Sequence, residues 1–486
     1  MGKVQNQPIN RPKCLKLSGK YVPSERRCFN LTTMKSKRLT RRTFIQKSAA
    51  GVGGLVLAPT ILTSTSACRG ANDRIHMGHI GLGQRGSNEL SSYMLPQEGA
   101  RSVAMCDVFR DRRQKGVELA TNFYKDRGIS APECKPYLDY EEVLERKDID
   151  AVHITTPDHW HVLCAIQAAR AGKHVMLAKP LGLSYPNYLI LKDELKKNDV
   201  RFHYGTQQRT MRHMQLGIDM IREGKIGEVE KIDVWAPGKN PVSSPVCKEM
   251  PVPDDFDFDK WTGPAPLNSY CPDRVTNNSS WFQYDYSIGF LAGWGAHPLD
   301  ILVWGVKEQV DGSYSCSGDG QFWSEGGMYD NIYSWDVKYS YNNGLKVHFL
   351  STDKAQEHML EHRDFKDSNG TTFYGSKGWL SLSRHSGESN IPELHKKLNE
   401  FSKDKHGRIN SEENTMGKMF LDVIHGRSEE TCPLDDAILS DTLSHMGDIA
   451  IRSKRSVTWD PVKGEVSGDQ AANQLYIRNM RAPYTP

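Results

Sequence analysis

The 486-residue chain has ten cysteines, but no CxxC pair and no histidine partner at metal spacing, so neither a zinc site nor a dense disulfide framework is indicated. No metal is expected, and isolated buried thiols without a disulfide are the simplest reading. An oxidising compartment would permit one bond among Cys106, Cys134, Cys164, Cys247, Cys271, Cys316 and Cys432. The Gly/Ala-rich apolar run Ser48 to Leu62 is too short and too small-residued for a membrane-spanning helix. A concentrated basic face is missing as well. Thirteen of the 63 Lys and Arg stand in the first 68 positions beside a single acid, Glu25, and the remaining 50 bases and 58 acids carry a net charge of −8. Binding to nucleic acid is therefore not expected. Hydrophobic residues at 38%, charged residues at 25% and 41 glycines describe an ordinary globular protein. Its length implies two cores, because single cores stop growing near ~250–300 residues.

The basic start reads as an address. Arg41-Arg42 is followed by Phe44-Ile45, then by the small-residue apolar run, and then by Thr65-Ser66-Ala67-Cys68. That order is the order of a twin-arginine export signal. Such signals sit close to an initiator, so Met34 is taken as the start, 1–33 as an upstream extension and 34–68 as the signal of a periplasmic protein. Thr65 to Cys68 leaves open a lipoprotein cleavage site, with Cys68 carrying a lipid anchor in the cell envelope.

From Ile75 to Ile80 the chain reads as a short strand. Gly81-Leu82-Gly83-Gln84-Arg85-Gly86 follows, before a helical segment, Ser87 to Tyr93. In this G-x-G-x-x-G loop Gly81 permits the tight turn, Gly83 lets backbone approach a pyrophosphate, and Gly86 lets helix and strand pack. The next strand, Ser102 to Cys106, ends in Asp107, where a carboxylate binds adenosine ribose hydroxyls and repels a 2′-phosphate, which favours NAD over NADP. Further strands at 151–154, 174–177 and 201–204 alternate with helices at 161–171 and 185–197. This pattern predicts a doubly wound parallel sheet over 74–205, with ligands at the carboxyl ends of its strands.

Those ends carry Thr155-Thr156-Pro157-Asp158-His159-Trp160-His161, Ala178-Lys179-Pro180 and Gly205-Thr206-Gln207-Gln208-Arg209. Together with the glycine loop, with Gly293 to Asp300 and with the tail from Trp459 to Tyr484, they resemble the glucose-fructose oxidoreductase, inositol dehydrogenase and MocA (Gfo/Idh/MocA) family over roughly 74–486. The resemblance implies an α/β protein whose Rossmann domain is followed, over 206–450, by a domain with a large open, mainly antiparallel sheet entered at Val229 to Val234. A tail, 451–486, would pack on both. In many relatives that sheet is also an oligomer interface, so a homodimer or homotetramer is expected.

The lysine before proline in such enzymes approaches both nicotinamide and the reacting hydroxyl, which matches Lys179, and the second-domain histidine matches His297. Both are taken as catalytic acid/base groups. Gly81, Leu82, Gly83, Gln84, Arg85, Gly86, Asp107, Thr156, Pro157, His159, His161, Lys179 and Gln207 are the expected cofactor contacts. Trp160, Lys179, Arg209, Tyr284, His297 and Asp300 are the expected sugar contacts, with Arg209 and Asp300 preferred to Trp281. Two positions depart from the family pattern: its usual Glu before Lys-Pro is Ala178, and its Asp four residues before the histidine is Gly293. Both remove a carboxylate, pointing to a retuned lysine or a changed reaction. The leading expectation is an exported oxidoreductase acting on a secondary hydroxyl or ketone of a sugar or glycoside, with tightly retained NAD(H). The alternatives are a redox-neutral glycosidase or lyase that oxidises, eliminates and reduces, and a noncatalytic sugar-binding protein.

Overall fold

A computed structural model describes residues 74–238, 243–276, 278–323, 326–359, 368–401 and 416–486. The expected extension at 1–33, the export signal at 34–68 and Cys68 lie outside the described residues.

Six strands form the first sheet: β1 (Ile75–Ile80), β2 (Ala100–Cys106), β3 (Lys135–Tyr137), β4 (Ala151–Ile154), β5 (His174–Ala178) and β6 (Phe202–Gly205), in the order β3-β2-β1-β4-β5-β6. Every pairing is parallel. Helices α1 (Gln84–Glu89), α2 (Arg110–Asp126), α3 (Tyr140–Glu145), α4 (Asp158–Arg170) and α5 (Tyr185–Lys197) connect them. β2 and β4 are buried along their whole length, as covering a sheet on both faces requires.

One polar seam crosses this core. His79 and His153 lie opposite each other in neighbouring strands. His79 Nε2 meets Ser102 Oγ at 2.8 Å, and His153 Nε2 meets Glu89 Oε2 at 2.8 Å. Burial alone would raise the Glu89 pKa, but the hydrogen bond and charge of His153, with Arg85, bring it down to about 2. The charged Glu89 in turn holds Arg85 Nη2 at 2.5 Å.

The second sheet has nine strands, in the order β13-β12-β11-β7-β10-β9-β8-β14-β15. They are β7 (Val229–Ala236), β8 (Tyr314–Phe322), β9 (Ile332–Tyr341), β10 (Lys346–Ser351), β11 (Gly370–Gly375), β12 (Gly378–Ser383), β13 (Gly387–Ser389), β14 (Val457–Asp460) and β15 (Glu465–Val466). The β7–β10 pair is parallel and the other pairings are antiparallel. In β9, Val337, Tyr339 and Tyr341 are buried while Lys338 is exposed, the alternation that the period of two in a strand imposes. The buried face packs on α6 (Ala296–Val310) and α7 (Leu434–Ser453). The expected tail does more than cover the domains, because β14 and β15 extend the sheet.

A buried ion-pair cluster joins the two sheets. Arg209, on the turn after β6, holds Asp300 of α6 through Nη2 at 2.6 Å and Asp436 of α7 through Nη1 at 2.9 Å. Burial would lower the Arg209 pKa, but the two carboxylates outweigh it and raise it. Sequence reading also expected no disulfide, whereas Cys247 and Cys271 are bonded to each other. They stand 24 positions apart, and nothing in their local sequence brings them together. The chain between and around them does, by folding back through a backbone hydrogen bond from Met250 N to Tyr270 O.

Candidate active site

A cavity of about 570 Å³ runs from the glycine loop, past the carboxyl ends of the parallel strands, to the N-terminus of α6. At its first end Gly81 has φ +88°, and a Cβ there would stand 2.7 Å from the Thr155 and Thr156 backbone, so the turn requires glycine. A Cβ on Gly86 would lie 2.2 Å from Gly81 O, which keeps helix and strand in contact. A Cβ on Gly83 would meet only Arg112 Nη1, at 3.7 Å, so this face is open to a ligand. Asp107 is fixed at the end of β2 by backbone N–H groups: Leu82 donates to Oδ2 at 2.7 Å and Phe109 to Oδ1 at 2.9 Å. Burial raises its pKa, opposed by Arg112 and these two donors. Open glycine backbone beside a fixed strand-end carboxylate fits a dinucleotide, and the chemistry of Asp107 fits NAD.

At the other end Lys179, on the loop after β5, donates through Nζ to Gly293 O. Its ammonium lies 5.0 Å from the Trp281 ring centre and 5.8 Å from that of Trp294. Removal from water lowers its pKa to about 8, with Asp158 opposing and Arg85 and Arg384 assisting. His297, in the first turn of α6, is pushed well below its ordinary value by burial and by Lys179, Arg384 and Arg85. His297 Nδ1 and Thr156 Oγ1 are buried in the cavity wall without a hydrogen-bond partner among the described residues. Such groups need an acceptor or donor from a ligand or solvent.

One of the two departures from the family pattern, Gly293, acquires a physical account here. A Cβ on Gly293 would stand 3.8 Å from the Trp281 ring, so an indole covers the place from which an acidic side chain would project. A carboxylate comes from another element: Asp158, at the start of α4, lines the cavity and accepts from Ser287 Oγ at 2.7 Å. Burial raises its pKa, while His161, Ser287, Lys179 and Trp281 favour its charged form.

Gly81, Gly83, Gln84, Arg85, Asp107, Thr156, Pro157, Trp160, His161, Lys179, Gln207 and His297 all line this cavity. Leu82 is 2% exposed, with its side chain in the core and only its N–H turned to Asp107. The ring nitrogens of His161 face backbone carbonyls, Pro180 O at 2.7 Å and Thr156 O at 2.8 Å, so this side chain joins the two strand-end loops.

Four expectations are corrected. His159 faces Trp261 O at 3.0 Å and borders a second, smaller cavity rather than this one. Arg209 and Asp300 are consumed in the cluster between the sheets and do not reach the cavity. Tyr284 packs between the guanidinium groups of Arg452 and Arg478, each 3.6 Å from its ring centre, and also borders the second cavity. Trp281, placed after Arg209 and Asp300 as a sugar contact, is the indole nearer the lysine ammonium. Asp158, Trp294 and Arg384 had been assigned no role. Asp158 was visible in the same motif as His159 and His161, whereas Arg384 follows β12, far away in sequence, and carried no signal.

Comparison with known proteins gives a consistent picture. Residues 75–206 match the NAD-binding Rossmann fold of the GFO/IDH/MocA oxidoreductase family, and residues 240–486 match its C-terminal alpha/beta domain. Curated relatives include a protein called glycosyl hydrolase family 109 protein 1, from Shewanella sp. strain MR-4, which is 28% identical over 204 residues, 39% of this chain and 44% of that one. Another is an uncharacterized oxidoreductase, ORF334, from Rhizobium meliloti, 33% identical over 160 residues, 33% of this chain and 45% of that one. The chain thus spans less than half the length of these relatives. Among solved structures, the WlbA dehydrogenase from Bordetella pertussis in complex with NADH and UDP-GlcNAcA has a TM-score of 0.57 at 15% identity, covering 80% of this chain and 98% of that one. The aldose-aldose oxidoreductase from Caulobacter crescentus has a TM-score of 0.54 at 14% identity, over 79% and 100%. At these identities the structures speak for a shared fold.

Proposed function

The chain belongs to the Gfo/Idh/MocA oxidoreductase family, and on that premise we propose that it is an NAD-dependent enzyme that oxidises or reduces a secondary hydroxyl or ketone of a sugar or glycoside. The observation that carries this reading is Lys179: an amine with its pKa drawn down to about 8, between two tryptophans, in the cavity that begins at the glycine loop.

Gly81, Gly83 and Thr156 would hold the cofactor's phosphates and Asp107 its ribose. Bound NAD supplies the hydride acceptor or donor. Lys179 Nζ takes the proton of the substrate hydroxyl as its carbon gives up hydride, and returns a proton in the reverse direction. Asp158 keeps Lys179 able to carry that proton, and His297 Nδ1 meets the same or a neighbouring hydroxyl. The faces of Trp281 and Trp160 receive the apolar face of the sugar ring.

Export by the twin-arginine route belongs to the proposal. Free dinucleotide would be lost outside the cytoplasm, so the cofactor would be retained and regenerated in place. The Cys247–Cys271 bond supports an oxidising location. Association into a dimer or tetramer would use the open face of the nine-stranded sheet. The relatives called glycosyl hydrolase family 109 proteins favour a second reading on the same site, in which oxidation, elimination and reduction split a glycoside with no net redox change.

The test is to purify the protein without added cofactor, denature it, and assay the supernatant for NAD(H) and NADP(H), then to screen sugars and aryl glycosides for change at the nicotinamide absorbance. Near-stoichiometric NAD(H) with sugar-dependent turnover is expected. Release of aglycone without net NADH would select the glycosidase reading, and an absence of dinucleotide would overturn retention.

A further inference from the structure

We propose a second ligand site, for a single sugar ring bearing a carboxylate, in a cavity of about 250 Å³ whose recognition group is Arg478. The site shares Asp158 with the first cavity, but its recognition group, Arg478, takes no part in the dehydrogenase reading.

Arg478 follows α8 (Gln470–Ile477) with φ 51°, a left-handed conformation that is unusual for a residue with a side chain. Its guanidinium lies 3.6 Å from the centre of the Tyr284 ring, and Nη1 donates to Tyr284 O at 2.7 Å. Those two contacts fix the plane of the group. The other two nitrogens, Nε and Nη2, are buried and have no hydrogen-bond partner among the described residues. They share one edge of the guanidinium, the edge whose two parallel N–H groups match both oxygens of a carboxylate. Arg478 lines the cavity, and a cationic edge left without acceptors favours an anion that enters there.

The remaining walls narrow the ligand class. Asp158 and Asp285 also border the cavity. Asp158 already accepts from Ser287 Oγ at 2.7 Å and from Trp281, and Asp285 from Asn268 Nδ2 at 2.9 Å, and an ionised carboxylate has further lone pairs to offer. They repel a bare polyanion but accept from hydroxyls. Pro264 and Leu475 provide an apolar surface suited to a ring face. A uronate meets all three demands: carboxylate to the Arg478 edge, hydroxyls to the two aspartates, apolar face to the proline and leucine. The volume lies just below the ~300–1,000 Å³ usual for larger ligands, as a single ring requires.

The experiment is isothermal titration of the full-length protein, as purified, with D-glucuronate, with D-glucose and with sodium sulfate. Glucuronate should bind at least about ten-fold more tightly than glucose or sulfate, since one charge-assisted bidentate pair is worth that much or more. Arg478→Met should weaken glucuronate by about ten-fold or more, while Lys179→Met leaves it within about two-fold. If Arg478→Met does not fold, as judged by circular dichroism, Asn479→Asp takes its place. Asn479 is exposed at the cavity rim, and a negative charge there should weaken glucuronate and leave glucose unchanged. Equal binding of glucuronate and glucose, or affinity lost with Lys179 and kept without Arg478, would overturn the proposal. Sulfate binding as tightly as glucuronate would overturn the sugar class.

Discussion

Replacing Asp158 by asparagine should move the titration of Lys179, and the pH dependence of turnover should report it. The lysine is drawn from 10.5 to about 8, a penalty on its ammonium form of at most about 3.4 kcal/mol at 1.36 kcal/mol per unit, reduced by whatever water in the cavity screens. Asp158 is the main group opposing that penalty. Asparagine keeps the shape and the Ser287 contact but removes the charge, and an opposite charge close by is worth roughly one to three units. The lysine pKa should therefore fall to about 7 or lower. In the oxidative direction Lys179 must be neutral to accept a proton, so the rate should rise through pH 8 in the natural protein and through a pH about one unit lower in Asp158→Asn. The assay is single-turnover reduction of bound NAD across pH 5.5 to 10 at saturating sugar. An acid limb that stays near pH 8 in the variant, or full activity in Lys179→Ala, would refute the reasoning. Stability offers an independent check on sign. A lysine with a depressed folded pKa binds its proton less readily than the unfolded chain does, so stability rises with pH between about 8 and 10.5, and the natural protein carries the full penalty below pH 8. Lys179→Met should remove that slope in denaturant melts.

Asp107→Ala should weaken NADH about ten-fold and narrow its advantage over NADPH, as measured by fluorescence titration, because the strand-end carboxylate is lost. Arg209→Met leaves Asp300 buried without its cation, while Asp436 keeps Lys307, and should cost about 3 kcal/mol in urea unfolding, with little change in sugar KM for whatever enzyme remains folded. A raised KM at unchanged stability would return Arg209 to the substrate site. Trp281→Ala should do the reverse, raising KM about ten-fold by removing the ring beside Lys179 while stability stays within about 2 kcal/mol, since the indole is only partly buried.

The glycine loop, the strand-end Asp107, the alternation of strands and helices over the first sheet and the Lys179–Pro180 signature were legible in the sequence, because local chemistry determines them. A φ of +88° needs glycine, a strand covered on both faces needs a continuous apolar run, and a ligand at strand ends meets whatever follows each run. The fates of Arg209, Asp300, Tyr284 and Trp281 were not legible. An arginine and an aspartate 91 positions apart in sequence look like two polar ligands until the fold closes them on each other at 2.6 Å. A tryptophan such as Trp281 looks like core until the fold sets its ring 5.0 Å from a lysine ammonium. Cys247 and Cys271 met for the same reason. Local sequence was enough to place the Rossmann glycine loop and the lysine at a strand end. Which polar groups remain available to a substrate was decided only by tertiary structure, because a charged side chain is spent or free according to the partner that long-range folding brings within hydrogen-bonding distance.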